Sequence, residues 1–165
     1  PFSIYSGAGV IFGATGGVTE AAIRRGVADK SPKALKEIEF IGVRGMEGLK
    51  ECTLDLDGRK VRIGIVSGLG NADRLIQKIE SGEEHFDFVE VMACAGGCVA
   101  GAGQPFARST EKRMRAEGLY KNDKALQIKR SEENPLVDTL YSDLLKNREH
   151  ELLHVHYLPK NQVSQ

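Results

Sequence analysis

Cys94 and Cys98 are separated by Ala95-Gly96-Gly97 and follow directly on the apolar run Phe86–Val91. A short apolar run reads as a strand, and the small residues after it read as a tight turn. Such a chain has to set two thiols just beyond the carboxyl end of a strand, where α/β sheets gather their ligands. Thiolates are soft ligands that select iron–sulfur clusters, zinc or copper. The continuation Val99-Ala100-Gly101-Ala102-Gly103-Gln104-Pro105 stays almost free of bulk. Glycine has no side chain to keep a large group off the backbone. Metal-binding side chains and room for a bulky inorganic group therefore occur together.

The spacing alone leaves several readings open. Free cysteine is among the most buried residue types, so two inert packed cysteines fit the pattern equally well. A zinc site usually shows two Cys/His pairs, and the nearest partner, His154-Val155-His156, is spaced too closely. A thioredoxin-type pair has two intervening residues, where this chain has three. A disulfide framework is disfavoured by the odd count of 3 cysteines, with no secretory context visible in these residues.

The 165 residues fit about one domain, and 41% apolar residues can form an ordinary core. Lysine plus arginine equals aspartate plus glutamate at 23 each, so there is no broad field to attract nucleic acid or an anionic membrane. No apolar run approaches the ~18 residues of a membrane span. Because the first residue is Pro1, the chain reads as processed or as a piece of something longer.

The coarse pattern is α/β. Residues 1–18 are glycine-rich and read as a loop. Thr19–Lys30 reads as a helix with Ala21, Ala22, Ile23 and Val27 on its apolar face, ended by Ser31-Pro32. Ile38–Arg44, Glu51–Asp57 and Lys60–Ser67 alternate like strands, the last two joined by the hairpin signal Asp57-Gly58. Leu54, Leu56, Val61, Ile63 and Ile65 should share one face of that sheet. Asn71–Ser81 reads as a helix with Leu75, Ile76 and Ile79 inward, and Phe86–Met92 as a buried strand. Cys98 should begin or precede a short helix. Beyond Ala107 the chain turns charged and helical, with helices over Thr110–Gly118, Asn122–Glu132 and Pro135–Lys146. Asn134 and Pro135 form a cap-plus-first-turn pair. His150–His156 is a last amphipathic piece. The composition shift near residue 106 divides a 1–106 lobe from a 107–165 helical segment.

Weaker signals have ordinary explanations. Gly7-Ala8-Gly9 and Gly68-Leu69-Gly70 are incomplete dinucleotide turns, the second carrying Asp73 where a small residue belongs. His154 and His156 read as polar residues at a helix end. Cys52 reads as a small packed residue. Glu20 and Glu90 read as groups that cap a helix or hold an amide or an arginine, with acid–base chemistry the alternative.

The whole string is more specific than its spacing. Glu90-Val91-Met92-Ala93-Cys94, Gly96-Gly97-Cys98 and Gly101 with Gly103-Gln104-Pro105 resemble the last cysteine signature of the iron-only (FeFe) hydrogenase large subunit. Ser6–Ala22 resembles the glycine-rich segment that precedes the signature in that family. Glu133-Asn134-Pro135 and Leu152–Tyr157 are similar to the family's small-subunit segment, which many members carry fused to the same chain. Ala95 stands where the family usually has proline, Ala100 and Ala102 where it has glycine, and Thr19 where methionine is common.

The resemblance implies one lobe of the hydrogenase fold, a mixed sheet with flanking helices, followed by a helical arm. It implies an oxidoreductase that interconverts protons, electrons and dihydrogen. The implied cofactor is the H-cluster, a 4Fe-4S cubane linked to a diiron unit. By the same resemblance Cys94 matches a cubane ligand and Cys98 the cysteine that bridges to the diiron unit. Met92, Phe12 and Gly13 match residues of the diiron pocket wall. The implied partners are an electron carrier such as ferredoxin and the missing N-terminal half of the same domain, which carries the remaining cysteines and the proton relay. The isolated fragment should then be inactive. The fused C-terminal segment suggests a cytoplasmic form, with periplasmic relatives known. The alternatives are a hydrogenase-like iron–sulfur scaffold or sensor without hydrogen turnover, and an ordinary α/β binding protein with structural cysteines.

Overall fold

The alternating residues around Gly58 fold into a β-hairpin in the computed structural model, which describes residues 3–27, 48–56 and 58–156. Strands β1 (Leu49–Leu56) and β2 (Arg59–Ser67) pair antiparallel, with Cys52 opposite Ile63 and Leu54 opposite Val61. Gly58 takes φ 84°, a left-handed turn position that glycine adopts without steric cost. Period-2 alternation sends Cys52, Leu54, Ile63 and Ile65 to one buried face, with Val61 packed against them. The side chain of Leu56 lies outside the description, as do the expected strand Ile38–Arg44 and the Ser31-Pro32 break.

Helix α1 (Gly7–Ile11) and helix α2 (Gly17–Val27) precede the sheet. The expected loop over residues 1–18 is thus partly helical. The Ser6 hydroxyl accepts from the Gly9 amide at 3.3 Å and starts α1. On α2 the buried side chains described are Thr19, Glu20, Ile23 and Arg24, whereas Ala22 is exposed and Ala21 half-buried. The expected apolar stripe is therefore half polar. It can be so because each buried polar group on it has a partner.

After β2, helix α3 (Leu69–Glu80) carries the chain across to β3 (Phe88–Met92), which pairs parallel to β2. The mixed sheet has the order β1-β2-β3. Ala72 and Leu75 of α3 are buried with Val66, against Phe86 and Val89. Ile76 is 51% exposed, because it lies about 100° around the helix from Leu75. Ile79 also stays partly open. Strand β3 is not buried as expected. Phe88 and Val91 are exposed while Glu90 is 5% exposed, since β3 has only β2 as a neighbour among the described residues.

One long helix, α4 (Ser109–Ala125), extends the expected Thr110–Gly118 helix through Gly118 and takes in the first residues of the next expected one. Beyond it the backbone is extended, because the carbonyls of Ile128 and Lys129 accept from the amides of Gly7 and Ala8 at 2.8 and 3.0 Å. That pairing with the start of α1 pre-empts a helix over Asn122–Glu132. A 3₁₀ turn (Ser131–Glu133), α5 (Pro135–Ser142) and α6 (Glu149–Leu153) complete the segment. The Asn134 side chain accepts from the Leu136 amide at 3.0 Å with Pro135 in the first turn, as the sequence indicates.

A cysteine-bearing candidate metal centre

Strands β2 and β3 are parallel and end level, with Ser67 opposite Met92. Their carboxyl ends therefore open on the same side, and the Gly68 amide donates to the Met92 carbonyl at 2.8 Å. Cys94 follows two residues after β3. The turn that contains it is tied to β2: the Gly96 amide donates to the buried Ser67 hydroxyl at 2.8 Å, and that hydroxyl donates to the Cys94 carbonyl at 3.4 Å. Within the turn the Gly97 amide donates to the Cys94 carbonyl at 3.0 Å. Cys98 then opens a 3₁₀ turn, Cys98–Ala100, in line with expectation.

The glycine-rich turn between α1 and α2 lies against this cysteine loop. The Val99 amide donates to the Gly13 carbonyl at 3.0 Å, and the Thr15 amide to the Gly96 carbonyl at 3.4 Å. Gly97 has φ 89°, and a Cβ there would stand 2.7 Å from both Gly13 O and Thr15 N. Only glycine permits so close an approach of the two backbones. Glu90 adds a third tie. Its Oε1 accepts from the Gly16 amide at 2.7 Å, and its Oε2 accepts from the Thr19 amide at 2.7 Å and the Thr19 hydroxyl at 2.6 Å. On the far side Arg115 of α4 donates to the carbonyls of Val99 (3.1 Å) and Pro105 (2.9 Å).

Cys94 and Cys98 are exposed free thiols, whereas Cys52 is buried in the core, where burial pushes its thiol pKa up. A Cβ on Gly101 would stand 3.0 Å from Cys94 Sγ, so a glycine there keeps the sulfur clear. Met92 is half-buried and Phe12 is 46% exposed at the end of α1, next to Gly13. The fold thus brings all five expected site residues to one end of the sheet. Two soft thiols beside bare backbone fit an iron–sulfur group, although two thiolates are half of a cubane's set. No cluster of three metal-binding side chains occurs among the described residues. His154 and His156 are exposed, and His154 contacts His150.

Residues 1–102 match the family described as iron only hydrogenase large subunit, C-terminal domain. The chain belongs to the iron-only hydrogenase family. Residues 109–160 match a second family, iron hydrogenase small subunit. The NADP-reducing hydrogenase subunit HndD of Solidesulfovibrio fructosivorans is 38% identical over 99% of this chain and 29% of its own length. Iron hydrogenase 1 of Clostridium pasteurianum is 37% identical over 93% of this chain and 28% of its own length. An FeFe-hydrogenase of Chlamydomonas reinhardtii superposes with a TM-score of 0.64 at 36% identity, over 96% of this chain and 48% of that one. The cytosolic iron-sulfur assembly component 3 of Rattus norvegicus is 29% identical over 88% of this chain. The chain spans about three-tenths of the length of the two hydrogenase relatives. The family is one of oxidoreductases, and its cofactor is the H-cluster, a 4Fe-4S cluster linked to a diiron unit.

Nothing in the sequence singles out Ser67 or Arg115. Neither has a metal-binding or catalytic signature, and their roles depend on strand ends meeting distant loops. Glu90 carried a signal, a lone acidic residue inside Phe88-Val89-Glu90-Val91-Met92.

Proposed function

We propose that this chain is the C-terminal part of the catalytic unit of an iron-only hydrogenase, and that Cys94 and Cys98 supply two of the four thiolates for the cubane. The close backbone contact between Gly13 and the Cys98–Ala100 turn carries this reading. It sets Phe12 and Gly13 against the same end of the sheet as Met92 and both cysteines, so one pocket wall and two ligands converge. The bound H-cluster supplies the redox chemistry that interconverts dihydrogen with protons and electrons. The chain's own residues bind it through sulfur, restrict access with Met92 and Phe12, and present the Gly13 backbone to it. The remaining thiolates and the proton relay come from residues outside these 165. Residues 1–106 form the cluster-bearing lobe, and 107–165 are the fused small-subunit-like segment. The electron partner is a ferredoxin-type carrier, and the compartment is the cytoplasm.

The test is to replace each cysteine by serine in the full-length protein after cluster maturation. Cys98→Ser should abolish the infrared bands of metal-bound carbonyl and cyanide along with hydrogen evolution. Cys94→Ser should lower the iron content of the cubane. Wild-type-like iron and bands in both variants would sink the proposal.

A second reading is supported by the similarity to the cytosolic iron-sulfur assembly component. In that case the same two thiols hold a cluster without hydrogen turnover. Full-length protein with iron and sulfide but no carbonyl or cyanide bands would favour it.

A further inference from the structure

We propose that Glu90 is a positioning residue that sets where the Phe12–Gly13 wall stands relative to the cysteines, an inference that rests on the cluster-binding reading above. Glu90 is the middle residue of β3, and its buried carboxylate takes three hydrogen bonds, all from the segment Gly16–Thr19. No described ion pair involves it, so its charge is met by amides, a hydroxyl and the N-terminus of α2. Burying a carboxylate without a cation is a poor way to stabilise a fold, and well-packed apolar residues often do as well or better. What the arrangement provides is geometry. Glu90 and Cys94 belong to one continuous piece of backbone, four positions apart. Gly16 and Gly13 belong to one turn, closed by the Ala14 amide on Ile11 O at 3.0 Å and the Gly17 amide on Ala14 O at 2.9 Å. The Phe12–Gly13 turn is therefore fixed to the ligand strand at Glu90 and to the ligand loop at Val99.

Glu90→Gln keeps the shape but turns one acceptor into a donor facing an amide N–H. Losing a hydrogen bond to a charged group costs about 1.5–3 kcal/mol, which corresponds to tenfold or more in an opening equilibrium. Amide exchange at Gly16 and Thr19 should therefore be at least ~10-fold faster in the Glu90→Gln variant of the full-length apoprotein. In matured protein its carbonyl and cyanide bands should shift or broaden, and its rate per bound cluster should fall. Thr19→Val deletes one of the three donors and should shift the bands in the same direction by less, whereas Thr19→Ser restores them. Thr19→Val decides the matter if Glu90→Gln does not fold. Wild-type bands and per-cluster rates in Glu90→Gln and Thr19→Val, with only yield or thermal stability reduced, overturn the inference. Wild-type protein that itself lacks carbonyl and cyanide bands overturns the hydrogenase reading, and this inference with it.

Discussion

Asp123 of α4 grips Arg24 of α2 with both carboxylate oxygens at 2.8 Å, across 99 positions of sequence. Arg24 also holds Glu20 at 2.6 Å, and all three side chains are buried. Burial alone would lower the arginine pKa. Hydrogen bonds and charge from Asp123 and Glu20 outweigh it and hold the pKa above its usual value. The pair joins the part of the chain that matches the large subunit to the part that matches the small subunit. Asp123→Ala leaves the guanidinium with one carboxylate and should cost about 3–5 kcal/mol, as breaking a buried pair does. Urea unfolding of both proteins measures it. A loss below ~1 kcal/mol would mean that the pair is not what holds the two parts together.

Two glycines should respond in opposite directions to the same change. Gly97→Ala meets φ 89° and two backbone atoms at 2.7 Å, so the cysteine loop has to part from the glycine-rich turn. A cost of about 1–3 kcal/mol is expected from the backbone conformation alone, together with reduced iron uptake. Gly118→Ala lies inside α4 with nothing within 4 Å of its Cβ, and should stabilise by about 1 kcal/mol. Thermal unfolding of the two variants checks the signs.

Much of this architecture is legible in sequence because it rests on local periodicity. The hairpin around Gly58, the inward set Leu54, Val61, Ile63 and Ile65, and the Asn134–Pro135 cap all follow from rules spanning a few residues. Two elements failed for one shared reason. The expected helix over Asn122–Glu132 stops because Ile128 and Lys129 give their carbonyls to Gly7 and Ala8. The face of α2 is half polar because its partners, Glu90 and Asp123, are distant in the chain. Local patterns cannot signal contacts that only the fold creates. The candidate cysteine site is proposed from residue types, with Phe12 and Gly13 added by resemblance. Ser67 is not legible, because a hydroxyl at a strand end has no pattern of its own.

Thr15 offers a cleaner energetic test. It is 2% exposed, and its hydroxyl has no hydrogen-bond partner among the described residues. An unsatisfied buried polar group costs about 1–3 kcal/mol, while an apolar group of the same shape does not. Thr15→Val should therefore leave stability unchanged or raise it by about 1 kcal/mol. A clear loss in chemical denaturation would reveal a partner for that hydroxyl that the fold alone does not supply.

The three thiols should separate by chemistry as they do by position. Iodoacetamide at neutral pH should modify the exposed Cys94 and Cys98 and leave Cys52 intact until the protein unfolds, as mass spectrometry of digests can follow. Cys52 should also mark the alkaline side of the stability curve. Burial raises its pKa in the folded state. In the unfolded chain the thiol titrates near its ordinary value of about 8.5. Between those two values the folded protein keeps a proton that the unfolded chain has released. The folded state then binds more protons, so stability falls as pH rises. Below the unfolded value the two states bind the proton equally and the contribution is complete. Cys52→Ala removes this dependence, although it also leaves a small cavity beside Leu54 and Ile63. The expected result is a lower stability at pH 7 with a flatter decline above about pH 8.5 than in the wild type. Parallel declines in the two proteins would show that Cys52 titrates alike in both states.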